Sequence, residues 1–187
     1  MSSIKKSLVV LASIIAIAIS GATAAANTTG EKETGGQQVS KKVRRELVTL
    51  PYYGVFDNLA YKVEGTTVTL YGQVVRPSTS HDAARRVAKI AGVERVVNHI
   101  EVLPLSNFDD AVRLGTYRAV FGTGSLYRYA MGTNPSIHIV VNRGQVTLEG
   151  VVSSRMDSQL AYMAARSVPG AFSVTNNLVV EGERRAY

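Results

Sequence analysis

The sequence of 187 residues contains no cysteine and no tryptophan. Without cysteine, the chain has no disulfide scaffold, no thiolate nucleophile, no cysteine zinc site and no cysteine-linked lipid anchor. Histidine is scarce, with only His81, His99 and His138. The composition, 45% hydrophobic and 19% charged residues, is typical of a chain that folds around a core. The formal net charge of +7 favours anionic partners such as nucleic acid, lipid headgroups or acidic polymers.

Residues 1–24 have the pattern of a signal peptide. A basic dipeptide precedes an apolar run over residues 8–19, and small residues follow at Ala22 and Ala24. In a helix this run spans about 18 Å, which is short of the roughly 30 Å hydrocarbon core of a bilayer. An uncleaved N-terminal anchor is the alternative, but the small residues favour cleavage after Ala24, with Ala26 as the second choice. We therefore predict a periplasmic protein with no membrane span after cleavage, and export argues against nucleic acid as its partner.

The rest of the chain contains an internal repeat. When the sequence is shifted by 78 positions, residues 61–102 align with residues 139–180 without a gap, and 12 of the 42 aligned positions are identical. A gapless match of this length indicates two tandem globular domains. Before the repeat, polar residues and glycines predict a flexible linker. The predicted organisation is a signal peptide over 1–24, a linker over 25–39, a first domain over 40–105, a second domain over 106–181 and a tail over 182–187.

Each copy has the pattern α-β-β-α-β. In the first copy, the spacing of Val43, Leu47 and Leu50 predicts a helix with Ser40 as its cap. Alternating apolar and polar residues then predict a β-hairpin, which is followed by an alanine-rich helix and a third strand parallel to the second. The sequence therefore predicts an α+β fold of two tandem αββαβ domains, each a three-stranded mixed sheet with two helices on one face. The predicted elements of the second copy are a helix from Asp109, strands over 137–141 and 145–152, a helix over 154–167 and a strand over 172–180.

Residues that are identical at matched positions in both copies are expected to serve the shared fold. A glycine within a strand permits a bend or the close approach of a helix, and a glycine after a helix ends it. Alternation places one asparagine of each third strand on the inward side, where a buried amide must be hydrogen-bonded. We predict that these asparagines tie down a loop, with a ligand role as the alternative. The predicted structural residues are Gly72, Gly92, Asn98, Gly150, Gly170 and Asn176.

Two motifs in each copy resemble the BON domain (bacterial OsmY and nodulation). The first copy has VTLYGQV over 68–74 and GVERVVNHIEV over 92–102, and the second has VTLEGVV over 146–152 and GAFSVTNNLVV over 170–180. The resemblance implies an αββαβ fold, a periplasmic location and no catalytic activity. It also implies association with phospholipid membranes in envelope or osmotic stress, but no invariant binding residues. Some members are outer-membrane lipoproteins, and the missing cysteine departs from them.

The sequence contains none of the usual catalytic motifs. The HExxH, GxSxG, Walker and GxGxxG patterns do not occur, and no histidine recurs in the other copy. Alternation places His99 and His138 at outward strand positions, and His81 lies at a helix start. A metal site needs converging histidines or carboxylates, and the spacing offers none. Asp109 and Asp110, at a predicted helix start, are interpreted as a cap. The sequence therefore predicts no enzyme, no metal site and no cofactor.

Basic residues on the two predicted helices of the first copy form one candidate surface for anionic phospholipid. The plainer interpretation of each run is a solvated helix face. The candidate residues are Lys41, Lys42, Arg44 and Arg45 on the first helix and Arg85, Arg86 and Lys89 on the second.

A longer loop in the second copy forms the other candidate surface. There are 29 steps from Val112 to Val141 but 20 from Val43 to Val63. Tyrosine with arginine suits a membrane interface or a protein contact, and packing onto its own domain is the alternative. We expect a non-catalytic protein that associates with anionic phospholipid; a periplasmic protein-binding or chaperone-like factor that contacts envelope proteins is the alternative. The candidate residues of the loop are Leu126, Tyr127, Arg128, Tyr129 and Met131.

Overall fold

The computed structural model describes residues 35–132 and 134–182. The first domain consists of helix α1 (Gly35–Val48), strands β1 (Asn58–Glu64) and β2 (Thr67–Val74), helix α2 (Pro77–Val87) and strand β3 (Arg95–Val102). The second consists of helix α3 (Asn107–Phe121), a 3₁₀ helix (Gly124–Ala130), strands β4 (Ile137–Asn142) and β5 (Gln145–Val152), helix α4 (Arg155–Arg166) and strand β6 (Ser173–Val180). The predicted signal peptide, the first part of the predicted linker and most of the predicted tail lie outside the described residues.

Each domain contains a three-stranded sheet whose second strand is central. β1 and β2 form an antiparallel hairpin, and β2 pairs with β3 in parallel. β4, β5 and β6 repeat this arrangement. The parallel pairing follows from the crossover helices α2 and α4, which carry the chain back to the starting end of the sheet. The predicted α+β fold of two tandem αββαβ domains is confirmed.

The core of each domain lies between one face of its sheet and its two helices. In the first domain, Val43 of α1, Leu70 of β2 and Val87 of α2 are fully buried together. In the second domain, Val112 of α3 and Leu148 of β5 belong to the corresponding core. Within residues 35–132 and 134–182, no helix combines the length and the hydrophobicity that crossing a bilayer requires.

Helix α1 begins before the predicted cap. It starts at Gly35, so residues 35–39 belong to the first domain and not to a flexible linker. Their polarity predicts a linker, but Val39 is buried one turn before Val43, and this packing stabilises the added turn. Ser40 therefore lies inside the helix and is not its cap, and its hydroxyl oxygen lies 3.1 Å from that of Tyr61.

The strand glycines Gly72 and Gly150 occupy a conformation that side chains disfavour. Their φ angles are +119° and +122°. A Cβ atom at either position would also overlap a carbonyl oxygen at the start of the antiparallel neighbour strand. Both the backbone angle and the close contact therefore call for glycine at these two points. Gly92 and Gly170, in the loops after α2 and α4, also have positive φ angles.

The asparagines of β3 and β6 are exposed, so the prediction that they are buried is wrong. Both strands lie at the edge of a sheet, where water reaches the side chains. Each amide nevertheless donates a hydrogen bond to a serine hydroxyl in the preceding helix, from Asn98 to Ser80 and from Asn176 to Ser158. The side-chain hydrogen bond therefore joins the edge strand to the helix and not, as predicted, to a loop.

The two domains contact each other through residues 53–57 of the first and strand β4 of the second. The backbone N–H of Ile139 donates to the carbonyl oxygen of Val55 at 2.7 Å. Val55 and Phe56 also pack against the core of the second domain. This interdomain contact covers part of the outer edge of β4, which would otherwise be open to pairing with another strand.

His138 is buried in the interdomain contact. Alternation places it on the side of β4 away from its own core, but the first domain covers that side, and the residue is only 9% exposed. Its Nδ1 lies 3.2 Å from the carbonyl oxygen of Gly54, and its ring centroid lies 5.4 Å from that of Tyr53. Desolvation lowers the pKa of His138; hydrogen bonds to the backbone of Gly54 and Asp57 and the charge of Asp57 oppose this shift only in part.

Candidate functional site

Helices α1 and α2 lie side by side, and five of the seven predicted basic residues lie on their outer surfaces. Lys89, predicted on the second helix, lies in the turn directly after α2, because the helix ends at Val87. The apolar stripe of each helix packs into the core, through Val43 and Leu47 in α1 and Ala83 and Val87 in α2. The positions between successive stripe residues face solvent and hold the charges. We call this surface the basic helical layer; it consists of Lys41, Lys42, Arg45, Arg85, Arg86 and Lys89.

Arg44, the seventh basic residue, lies apart from this layer. It lines a small cavity of about 170 Å³ between α1 and β1, together with Tyr53 and Tyr61. Within the layer, Arg85 forms an ion pair with Asp82 on its own helix. Among the described residues, Lys42, Arg45 and Lys89 form no ion pair. These three cations are the ones most available to an external anion.

A groove runs between α1 and α2 and contains part of the basic helical layer. Its volume is about 300 Å³. The guanidinium of Arg86 lies 3.6 Å from the carboxylate of Glu46 and donates a hydrogen bond of 3.3 Å to the carbonyl oxygen of Thr49, at the end of α1. Arg86 is therefore held in position by α1, with donors left for a further partner. The α1–α2 groove is lined by Lys42, Glu46, Arg86, Lys89, Ile90 and Ala91.

The added loop of the second domain is largely part of its core. The loop forms the 3₁₀ helix, and Leu126 and Tyr129 are buried. Tyr127 and Met131 point away from the core and are 60% and 67% exposed. Of the two alternatives, packing onto its own domain describes Leu126 and Tyr129, whereas Tyr127 and Met131 remain available for an external contact.

Arg128 has a partner within its own domain. Its guanidinium lies 2.7 Å from the carboxylate of Asp157, which also accepts a hydrogen bond of 2.9 Å from the Tyr129 hydroxyl. The hydroxyl of Ser154 donates to the same carboxylate. The hydrogen bonds from Ser154 and Tyr129 and the charge of Arg128 lower the pKa of Asp157. Arg128 therefore links the loop to the start of α4, and only part of its charge faces outward.

An exposed aromatic cluster lies at the other end of the second domain, and the sequence reasoning missed it. The rings of Phe108 and Phe172 are stacked with their centroids 5.5 Å apart. Phe172 is 75% exposed, and Leu105, in the connection between the domains, is 94% exposed. The two rings line an open groove of about 460 Å³ that also contains Arg143. We call Phe108 and Phe172 the aromatic cluster. It is an exposed apolar surface that a partner could cover.

The internal repeat contained a signal for the aromatic cluster. With the helices aligned through Val43 and Val112, Phe108 matches Val39, and in the gapless repeat Phe172 matches Glu94. The shared fold therefore does not require an aromatic residue at either position. Comparing exposed positions as well as identical ones would have identified the cluster.

Asp109, predicted as a helix cap, has a different role. Ser106 is the cap of α3, and its hydroxyl accepts a hydrogen bond from the backbone N–H of Asp109. The buried carboxylate of Asp109 accepts hydrogen bonds from the backbone N–H groups of Arg143 and Gly144, at 2.9 and 2.7 Å. It therefore fixes the turn between β4 and β5. No group of histidine and acidic residues that could hold a metal ion occurs among the described residues.

Comparisons with known proteins identify a family. The model of the BON domain family matches residues 36–104 and 129–182. Among solved structures, the chain is similar to the C-terminal domain of CdsD, a structural protein of the type III secretion system of Chlamydia trachomatis, with 10% identity and a TM-score of 0.27 over 75% of this chain and 96% of that one. A second CdsD structure gives 12% identity and a TM-score of 0.28 over 76% and 92% of the two chains. No curated protein sequence gives a significant match.

Proposed function

The chain belongs to the BON domain family, and from this premise we propose that it is a non-catalytic, exported envelope protein that associates with anionic phospholipid surfaces in the periplasm. The basic helical layer of the first domain carries the proposal. Its Lys42, Arg45 and Lys89 form no ion pair with any described residue, so no internal contact must be broken when they approach an anionic headgroup. Exported proteins meet such headgroups on both membranes that enclose the periplasm.

The second domain supports the proposal by contrast. The positions that match Lys42, Arg45 and Lys89 are Ala111, Leu114 and Ser167. The fold therefore does not require cations at these three positions, and these charges belong to the first domain alone. An attraction to anionic surfaces is the simplest physical use of such a layer.

Electrostatic attraction alone gives weak binding. Each basic residue close to an anionic membrane contributes about 1 kcal/mol, so three contribute about 3 kcal/mol. A millimolar Kd already corresponds to about 4.1 kcal/mol. The exposed side chains of the aromatic cluster can supply the remainder, since a fully buried phenylalanine or leucine contributes roughly 1.5–3 kcal/mol. We therefore expect charge and apolar contact to act together.

Vesicle flotation tests this proposal. The chain without residues 1–24 should float with phosphatidylglycerol-containing vesicles, float less at high salt because the charges are screened, and not float with neutral phosphatidylcholine vesicles. The triple variant Lys42→Gln, Arg45→Gln, Lys89→Gln should bind at least about tenfold more weakly. No flotation of the wild type with anionic vesicles would overturn the proposal and favour a protein partner in the envelope.

A matched control separates the position of the charges from their number. The variant Arg95→Gln, Arg118→Gln, Arg166→Gln also removes three positive charges, but from outside the basic helical layer. It should retain most of the binding. Equal loss in both triple variants would mean that net charge, and not the layer, controls the association.

A further inference from the structure

We propose that the α1–α2 groove binds a phosphomonoester group, the dianionic phosphate found in phosphatidate and in soluble phosphomonoesters. This inference rests on the proposed function and adds a headgroup preference to it.

The charges of the groove are not required by the fold. The positions that match Lys42, Glu46, Arg86 and Lys89 hold no charge in the second domain; they are Ala111, Gly115, Ala164 and Ser167. A Cβ atom at Gly115 would lie 2.9 Å from Cγ1 of Val168, so α3 packs closely against the turn after α4 at this point. The first domain has an open, charged groove where the second has an uncharged, closely packed contact.

The groove has an excess of positive charge within reach of one small anion. It contains the cations of Lys42, Arg86 and Lys89 and the single carboxylate of Glu46. The net formal charge is therefore about +2, which matches the charge of roughly −1.5 to −2 on a phosphomonoester at neutral pH. A phosphodiester headgroup carries a single negative charge and leaves part of this excess unbalanced.

Arg86 gives the groove its preference for a phosphate with several free oxygens. Its contacts with Glu46 and Thr49 hold the planar guanidinium in place, and a guanidinium has five N–H donors. The remaining donors can form two parallel hydrogen bonds to two phosphate oxygens. The ammonium groups of Lys42 and Lys89 add point charges from the two walls, and Ile90 provides an apolar surface beside them.

The experiment compares phosphatidate with phosphatidylglycerol in vesicles whose zeta potentials have been matched. The wild type should bind the phosphatidate vesicles roughly tenfold more tightly. This preference should fall as the pH decreases from about 7.5 to about 5, because a phosphomonoester with a second pKa near 6 takes up a proton. Equal binding to the two vesicles overturns this inference but leaves the proposed function intact, whereas binding to neither overturns both.

Variants of the groove assign the preference to its residues. Arg86→Lys keeps the charge but removes the planar fork, so it should lose most of the preference for phosphatidate while still binding anionic vesicles. Because Arg86 also contacts α1, Lys42→Gln with Lys89→Gln is the second variant, and it breaks no ion pair between described residues. Arg95→Gln, in β3 and outside the basic helical layer, is the control and should keep the preference. Full preference in both groove variants would overturn the inference.

Free glycerol 3-phosphate distinguishes a lipid headgroup from a soluble ligand. Chemical shift changes at the backbone amides of Lys42 and Lys89 on titration would assign a soluble phosphomonoester to the groove. Shifts with phosphatidate vesicles alone would assign the lipid headgroup. If neither glycerol 3-phosphate nor phosphatidate vesicles shift these amides, the inference is overturned, even if the binding comparison shows a preference for phosphatidate.

Discussion

The side-chain amide of Asn98 donates a hydrogen bond to the hydroxyl of Ser80 at 3.1 Å. The same asparagine accepts a hydrogen bond from the backbone N–H of Ile100, two residues along the strand. The second domain repeats the pair, with Asn176 and Ser158 at 2.9 Å. Because both members are identical in the two copies, one polar contact fastens each edge strand to the helix that precedes it.

Removing this tie should destabilise the first domain moderately. Asn98→Ala loses a donor to Ser80 and an acceptor for Ile100, so we expect a decrease of about 1 kcal/mol in the free energy of unfolding, measured in urea. Asn98→Asp keeps the acceptor and loses the donor, and it should lie between the wild type and the alanine variant. An alanine variant as stable as the wild type would mean that the contact only accompanies the fold.

The strand glycine should be far less replaceable than a turn glycine. Gly72→Ala places a Cβ against a carbonyl oxygen at a φ of +119°, and we expect a loss of more than about 2 kcal/mol. Gly65→Ala is the control, because Gly65 has a φ of +60° with open space around it. It should cost roughly 1–2 kcal/mol from backbone strain alone. Equal thermal shifts in the two variants would remove the steric argument.

The interdomain contact should weaken in mild acid. The pKa of His138 in the folded protein lies below its usual value of 6.5, so the unfolded chain binds the proton more readily. The stability that neutral His138 provides is therefore complete above about pH 6.5 and is lost as the pH falls through the folded pKa. Each unit of difference between the two pKa values contributes about 1.4 kcal/mol. Calorimetry between about pH 7.5 and pH 5.5 measures this loss.

The neighbours of His138 define the controls for this measurement. Tyr53 and Asp57 lie beside it, and the positive charge of Arg76 acts to lower the pKa of Asp57. Burial raises the pKa of Tyr53 to about 12, so this residue does not titrate in the range. Burial also raises the pKa of Asp57, and this effect is larger than that of Arg76. Ionisation of Asp57 therefore lowers the stability as the pH rises, which is opposite to the effect of His138. His138→Gln should flatten the acid dependence.

The exposed part of the added loop can be tested without disturbing its core. Tyr127→Ala with Met131→Ala removes two side chains that are mostly in water, and the melting temperature should stay within about 2 °C. If the loop contacts the membrane, the double variant should bind anionic vesicles more weakly with an unchanged salt dependence. Folded protein with wild-type binding would remove the loop from the proposed association.

Arg128→Glu is a less clean test of the same loop. A glutamate there would face the carboxylate of Asp157, which the wild-type arginine neutralises at 2.7 Å. We expect Arg128→Glu to lower the melting temperature of the second domain as well as vesicle binding, and Arg128→Gln to lower both less. Thermal unfolding monitored by circular dichroism separates the two effects. A melting temperature unchanged in Arg128→Glu would contradict the role of this ion pair.

The repeat predicted the fold, but it predicted the candidate surfaces only in part. Period-two alternation gave the strands, since a strand that packs on one side must alternate. The start of α1 was missed because the polar residues before Val39 have no pattern of their own and fold through one buried contact. In the loop, Tyr127 and Tyr129 are the same type of residue, and only packing decides that Tyr129 is buried and Tyr127 is exposed.

The sequence by itself determined the two-domain organisation, the topology of each domain and the structural role of the strand glycines. Periodicity and backbone freedom are local properties, and both recur in the two copies. The tertiary structure decided which residues meet. Only the packing of α1 against α2 brings Lys42 and Lys89 into one groove, although they are 47 positions apart in the chain. Only the contact between domains buries His138, since alternation defines a side of the strand but not what covers that side.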